Sequence, residues 1–186
     1  DELLHRYVLG LYHVMDVLTK RFPDVLFENC ASGGARMDAG MMYYFPQTWA
    51  SDNSDAVCRL KIQYGTSLCY PPVMTTSHIS ASPNHQMLRQ TPLDFRAAVS
   101  YPFNLGYELN LCKMSDEEIE KISEQTALYK KIRPLVQGGK FYRLLSPFEG
   151  NQTAWMTVSQ DEKEFLVWYY KDFADPEEAY INVRLT

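Results

Sequence analysis

The chain has 186 residues, a formal net charge of −5, 46% hydrophobic residues and 13% aromatic residues. That apolar share excludes a disordered chain, and the acidic balance argues against a nucleic-acid partner, which shows a basic patch or stripe. No apolar run reaches membrane-spanning length, no signal peptide is visible, and Cys30, Cys58, Cys69 and Cys112 show no zinc-ligand spacing.

Residues 2–21 carry Leu3, Leu4, Tyr7, Val8, Leu11, Val14, Met15 and Leu18 at helical spacing, and the pattern stops at Phe22-Pro23. VLF at 25–27 is a short apolar run between turn signals and predicts a buried parallel strand. Gly33, Gly34 and Gly40 then break regularity, and FPQTW at 45–49 predicts the next strand. Asn53 or Ser54 can cap a helix from Asp55 to about Leu68, with Asp55 as a first-turn charge. PVMTTSHIS at 72–80 predicts a strand, TPLDFRAAVS at 91–100 a short helix and FNLGYEL at 103–109 a further strand. Ser115 and Glu118 form a capping box that opens a helix expected to end before Pro134.

This alternation is the signature of parallel βα units, about four of them, or half of a (β/α)8 barrel. After QGG at 137–139 the period changes. FYRLLS, TAWMTVS, EFLVWYYKDF and AYINVRL are strand-type runs, with SQDEKE as a hairpin loop. The expected fold is therefore α/β: a partial TIM (β/α)8 barrel over residues 1–138, then the start of an antiparallel β domain over residues 139–186. The chain opens on Asp1 and ends in an apolar/polar alternation, so it reads as a piece of a longer protein, and its thiols read as reduced ones of a cytoplasmic protein.

In a (β/α)8 barrel the catalytic groups sit at the C-terminal ends of the strands. Two such ends fall in ENCASGGARMDAGMMYYFPQTWASDN. The first holds Glu28, Cys30 and the Ser32-Gly33-Gly34 turn, and the second holds Ser51, Asp52 and Asn53. By pattern alone Asp52 is either a general acid/base or the cap of the next helix, and capping is the commoner use of Asp before a helix. Asn53 either orients Asp52 or caps that helix. Arg36 and Asp38 are expected to pair and brace the first turn. Tyr43 and Tyr44 read as structural, and His78 and His85 as rim or loop-bracing residues. No metal site and no cofactor is indicated.

The string FENCASGGARMDAGMMYYFPQTWASDNSDAVCRLKIQYGTSLCYPP, followed in order by SHISASPNHQMLRQTPL and FNLGYEL, resembles the α-galactosidases of glycoside hydrolase family 36. The likeness is strongest from about residue 26 to 110. Ala35 stands where the family often has a third glycine and Ala39 where a proline is common. The resemblance implies a retaining mechanism with two aspartates. The general acid/base of the Ser-Asp-Asn motif matches Asp52. The nucleophile belongs to a Lys-Trp-Asp-x-Asn motif that has no match, because Trp49, Trp155 and Trp168 are followed by Ala, Met and Tyr. The strands present would then be the fifth to eighth.

A retaining glycosidase holds its two carboxyl groups about 5–5.5 Å apart, one to attack the anomeric carbon and one to protonate the leaving oxygen and then activate water. The resemblance further implies that Cys30 and Gly33 shape the wall near the sugar 2-hydroxyl, with Gly33 letting the backbone approach the ligand. That leaves little room for a 2-acetamido group. Trp49 lines the pocket or packs beneath it, and Asn53 adjoins the acid. The implied substrates are galacto-oligosaccharides such as raffinose and melibiose, with a homo-oligomer for the full-length enzyme. The rival expectations are an α-N-acetylgalactosaminidase of the same fold and a non-catalytic carbohydrate-binding remnant.

Overall fold

A computed structural model describes residues 2–30, 32, 35–173 and 182–185. They form two compact units, residues 1–52 and 53–186. No described helix is long and apolar enough to cross a membrane.

The first unit opens with α1 (Glu2–Arg21), with the bounds that its apolar spacing predicts. The strand expected at 25–27 forms instead at β1 (Glu28–Asn29), which runs parallel to β2 (Gln47–Trp49) in the register Glu28↔Gln47 and Asn29↔Thr48. Polar pairing sets this register. Gln47 Nε2 donates to Glu28 Oε2 at 2.6 Å, while the buried Asn29 donates to the Arg36 carbonyl at 2.9 Å. Phe27 packs on Phe45 just outside the strands.

A short helix, α2 (Ala39–Tyr44), fills the segment where Gly40 was expected to break regularity. Its cap is Asp38, whose Oδ1 accepts from the Met41 N–H at 2.9 Å and from Tyr12 Oη of α1 at 2.6 Å. Asp38 thus serves Tyr12 and the helix end, not the expected partner Arg36. A Cβ on Gly40 would stand 2.3 Å from the Tyr12 hydroxyl, so the glycine makes room for the bond that docks α1 on α2.

The second unit alternates α3 (Ala56–Cys69), β3 (Thr75–Ile79), α4 (Leu93–Ser100), β4 (Asn104–Tyr107) and α5 (Asp116–Gly138). The strands β3 and β4 are parallel, with Thr76↔Asn104 through Ile79↔Tyr107 in register. Residues 72–74 form a 3-10 turn rather than strand, with Pro71 as its cap and Pro72 as its first residue. Ile79 packs on Leu93 and Ala97, so alternate residues of β3 face the helices. Its neighbour in that row, Ser77, donates to Gln63 of α3 at 2.5 Å and to Ser100 of α4 at 3.1 Å. The capping box at Ser115 and Glu118 forms as expected, but α5 continues through Pro134 to Gly138. Burial of Val136 in the core outweighs the backbone hydrogen bond that the proline removes.

The strands β5 (Lys140–Leu145), β6 (Gln152–Val158) and β7 (Phe165–Lys171) make an antiparallel sheet in the order β5-β6-β7. Of the fourth expected strand, AYINVRL, residues 182–185 carry no strand and the rest lies outside the described residues. The sheet does not stand apart from the helices. Trp155 of β6 is fully buried and meets the rings of Phe103, Phe141 and Tyr170 at 5.6, 6.1 and 5.2 Å, in one cluster with Leu60, Val99 and Val136. Arg143 donates to the Ser67 carbonyl at 2.9 Å, and Tyr170 Oη to the Ala98 carbonyl at 2.8 Å. Full burial lifts the Tyr170 hydroxyl well above its ordinary value.

Two outcomes follow from this packing. Trp155→Ala should cost about 3–5 kcal/mol in chemical unfolding. Trp155→Phe should cost clearly less, because the indole N–H is buried without a hydrogen bond among the described residues. In the first unit, burial raises the Asp38 carboxyl, but hydrogen bonds from Tyr12 and from the Met41 and Gly40 amides outweigh it and hold it below 3.8. A depressed folded value contributes stability above the unfolded value that is lost as pH falls through the folded one. Tyr12→Phe should move the Asp38 midpoint upward in a carbon-detected titration; an unmoved midpoint would show that Tyr12 does not hold the carboxylate.

Candidate active site

Because β1 and β2 are parallel, their C-terminal ends lie on the same side of the pair. Cys30 follows β1 directly and is exposed, with a free thiol. Ser32 turns the chain in the left-handed region at φ 51°. Gly33, the other residue expected to shape the sugar wall, lies outside the described residues. At the second strand end Trp49 is 8% exposed, the last residue of β2, and Asp52 follows three residues later with an exposed side chain. Trp49 is buried, so its ring is not an open stacking platform.

The decisive point concerns the head of α3. Its cap is Asp55, not Asn53 or Ser54, and not Asp52. Asp55 Oδ1 accepts from the Cys58 N–H at 2.9 Å. Asn53 Oδ1 in turn accepts from the Asp55 N–H at 3.0 Å, which folds residues 53–55 into an Asx turn. The helix end is therefore satisfied without the Asp52 carboxylate, and the structural role that competed for Asp52 is taken by another residue. Asp55 is also no surface charge of a first turn. Its side chain is 1% exposed and pairs with Arg89 Nη1 at 2.5 Å.

The loop that follows β3 surrounds this turn. Asn84, buried, donates from Nδ2 to Ser54 Oγ at 3.2 Å and to Ser80 Oγ at 3.4 Å. Gln86 Oε1 accepts from the Ser54 N–H at 3.2 Å, and Ser80 Oγ donates to the Ser54 carbonyl at 3.2 Å. Asn84 Oδ1 holds its own loop through the amides of Gln86 and Met87 at 3.0 and 2.9 Å. Farther along α3, Arg59 is buried, donating to Gln63 at 3.2 Å and to the Thr76 carbonyl at 3.0 Å; burial lowers it to about 10. His78 on β3 lies 3.9 Å from Glu108 beyond β4, and His85 is exposed in the loop.

Sequence reasoning missed Asn84, Gln86 and Arg89. Their partners lie about thirty residues away, and no local pattern signals such a pairing. The Asp55 cap did have a signal, an Asp immediately before the helical run.

The family model described as Melibiase matches residues 1–139. The chain belongs to the Melibiase family. It is 54% identical over 99% of its length to the α-galactosidase AgaA of Geobacillus stearothermophilus, and 54% identical over 89% to the α-galactosidase Mel36A of Lactobacillus acidophilus. The AgaA crystal structure superposes with a TM-score of 0.95 over 98% of this chain, and the Lactobacillus brevis α-galactosidase with 0.96 over 100% at 49% identity. Variants of AgaA have been solved in complex with raffinose and with stachyose. The chain spans about a quarter of the length of these relatives: 25% of AgaA and 22% of Mel36A.

The ion pair at α3 yields a stability asymmetry. Arg89→Ala leaves a buried carboxylate without its partner and should cost about 3 kcal/mol. Asp55→Asn keeps an equally good cap and frees an arginine that is 35% exposed to reach water, so it should cost nearer about 1 kcal/mol. Denaturant unfolding of the two variants side by side checks the order.

Proposed function

We propose that the whole protein is a cytoplasmic retaining α-galactosidase that removes terminal α-linked galactose from oligosaccharides such as raffinose and melibiose. Residues 1–138 would contribute the second half of its (β/α)8 barrel and residues 139–186 the start of its C-terminal β domain, in a homo-oligomer at full length. The reading is supported by the α-galactosidase relatives and by one local observation: Asp55 caps α3, so the exposed Asp52 carboxylate is not spent on the helix end.

In this mechanism Asp52 gives its proton to the glycosidic oxygen as an upstream aspartate attacks the anomeric carbon. The leaving sugar departs with that proton. Asp52, now a carboxylate, takes a proton from water, which displaces the aspartate and restores the α-anomer. Cys30 and Gly33 would bound the sugar near its 2-hydroxyl, Trp49 would support the pocket from below, and Asn53 would fix the backbone after the acid. A 2-acetamido sugar would meet the Cys30 wall, which favours galactose over N-acetylgalactosamine.

Hydrolysis of raffinose, whose leaving group needs a proton, tests the assignment. Asp52→Asn in the full-length polypeptide carrying this segment should lower turnover of raffinose by about 10²–10⁴-fold. Residues 1–186 alone should show no turnover above the same substitution, since the second carboxylate is not among them. Full activity of Asp52→Asn would remove Asp52 from the mechanism.

A further inference from the structure

The β3–α4 loop, the heads of α3 and α4 and the end of β7 line a cavity of about 360 Å³, made wholly by residues of the second unit. Pockets that take small ligands run from about 300 to 1,000 Å³. Arg89, Thr91 and Asp172 give it polar groups, and Phe95 and Phe173 give it aromatic ones. None of Cys30, Trp49, Asp52 and Asn53 lines it. The fold holds these walls in place. Phe95 stands edge-on to Tyr170, with ring centroids 6.4 Å apart, and Tyr170 is itself tied to the Ala98 carbonyl. The backbone of Asp172 and Phe173 is pinned by Asn151, whose carbonyl accepts from the Asp172 N–H at 2.9 Å and whose Nδ2 donates to the Phe173 carbonyl at 2.8 Å.

The polar groups of this lining are only partly used. Asp172 is half-buried: its Oδ1 is out of water without a hydrogen bond among the described residues, and its other oxygen is left to meet a partner. Burial raises this carboxyl above its ordinary value, against the nearby charges of Lys61 and Arg89. Arg89 spends Nη1 on Asp55, its only side-chain hydrogen bond among the described residues, so further guanidinium N–H groups remain for a ligand. The charges of the lining cancel. Arg89 is neutralised by Asp55, and Lys171 and Asp172 are of opposite sign. A small anion or cation would therefore meet one group that repels it. A neutral polyol would not, because each hydroxyl can donate to the carboxylate and accept from the guanidinium. The C–H face of a pyranose ring is the kind of apolar surface that Phe95 and Phe173 can cover.

We propose that this cavity is a second carbohydrate-binding site: it takes one sugar unit of a neutral oligosaccharide, with hydroxyls on Arg89 and Asp172 and the C–H face on Phe95 and Phe173. The site binds and does no chemistry. Only the choice of a galactoside as probe rests on the α-galactosidase reading. One sugar unit held by a few polar groups in a half-open site should bind with a Kd on the order of 1 mM.

Val57 of α3 is on the cavity wall, so its methyl groups report on this site alone when they are followed by methyl-detected NMR. Raffinose is titrated into the full-length polypeptide carrying this segment, with Asp52→Asn present to stop hydrolysis. The Val57 signals should shift and saturate in the millimolar range. Asp172→Ala and Phe173→Ala should each weaken that response about tenfold or more, since a hydrogen bond to a charged group is worth at least that factor. Phe173 is 69% exposed, so its variant keeps the test open even where Asp172→Ala is unstable. Val57 signals that do not move, or that move equally in both variants, overturn the site. So does a response to methylammonium or acetate with none to raffinose, which would mark a site for a charged ligand. If the unsubstituted polypeptide does not hydrolyse raffinose while Val57 still responds, the α-galactosidase reading fails and the site stands. If raffinose is hydrolysed and Val57 is silent, the site fails alone.

Discussion

The carboxylate of Asp55 carries much of the organisation around the candidate site. It ends the helix α3 by accepting an amide, neutralises Arg89, and has its own N–H taken by Asn53. A buried charge that lost its arginine would leave an uncompensated carboxylate, which is far more costly than losing a surface pair. The loop 80–92 and the turn 53–55 are therefore coupled: neither can shift without exposing or orphaning the pair. The residue that could have been consumed as a cap, Asp52, stays exposed and does not cap the helix.

A second constraint is the apolar core around Trp155. Trp155 lies within one cluster with side chains from α3, α4, α5 and the sheet. The antiparallel strands thus share a core with the helices α3, α4 and α5, although their sequence period differs. The continuation of α5 through Pro134 belongs to this account. The helix keeps going because Val136 and, beside it, Ile132 meet that core. Local propensity predicted a stop, and apolar burial overruled it.

Much of the secondary structure was legible because apolar spacing and caps are local. The bounds of α1, the capping box of α5 and the strands β5 to β7 follow from patterns a few residues long. The strand at 25–27 was misplaced because its apolar residues are not the paired ones; the polar Glu28 and Asn29 make the ladder to β2. The helix α2 was hidden by a glycine that is needed for a side chain of α1, a reason no local window contains.

By itself the sequence determined the family resemblance, the alternation of strands and helices, the change of period near residue 138 and the candidacy of Asp52. These depend on residue identity and short-range spacing. Which acidic residue is buried against an arginine and which stays exposed was decided by tertiary structure. Asp52 and Asp55 are the same residue type three positions apart, and only the approach of the loop bearing Arg89, thirty-four residues from Asp55, distinguishes them. Burial makes that approach decisive, because a carboxylate out of water must find its partners inside the protein, whatever their distance along the chain.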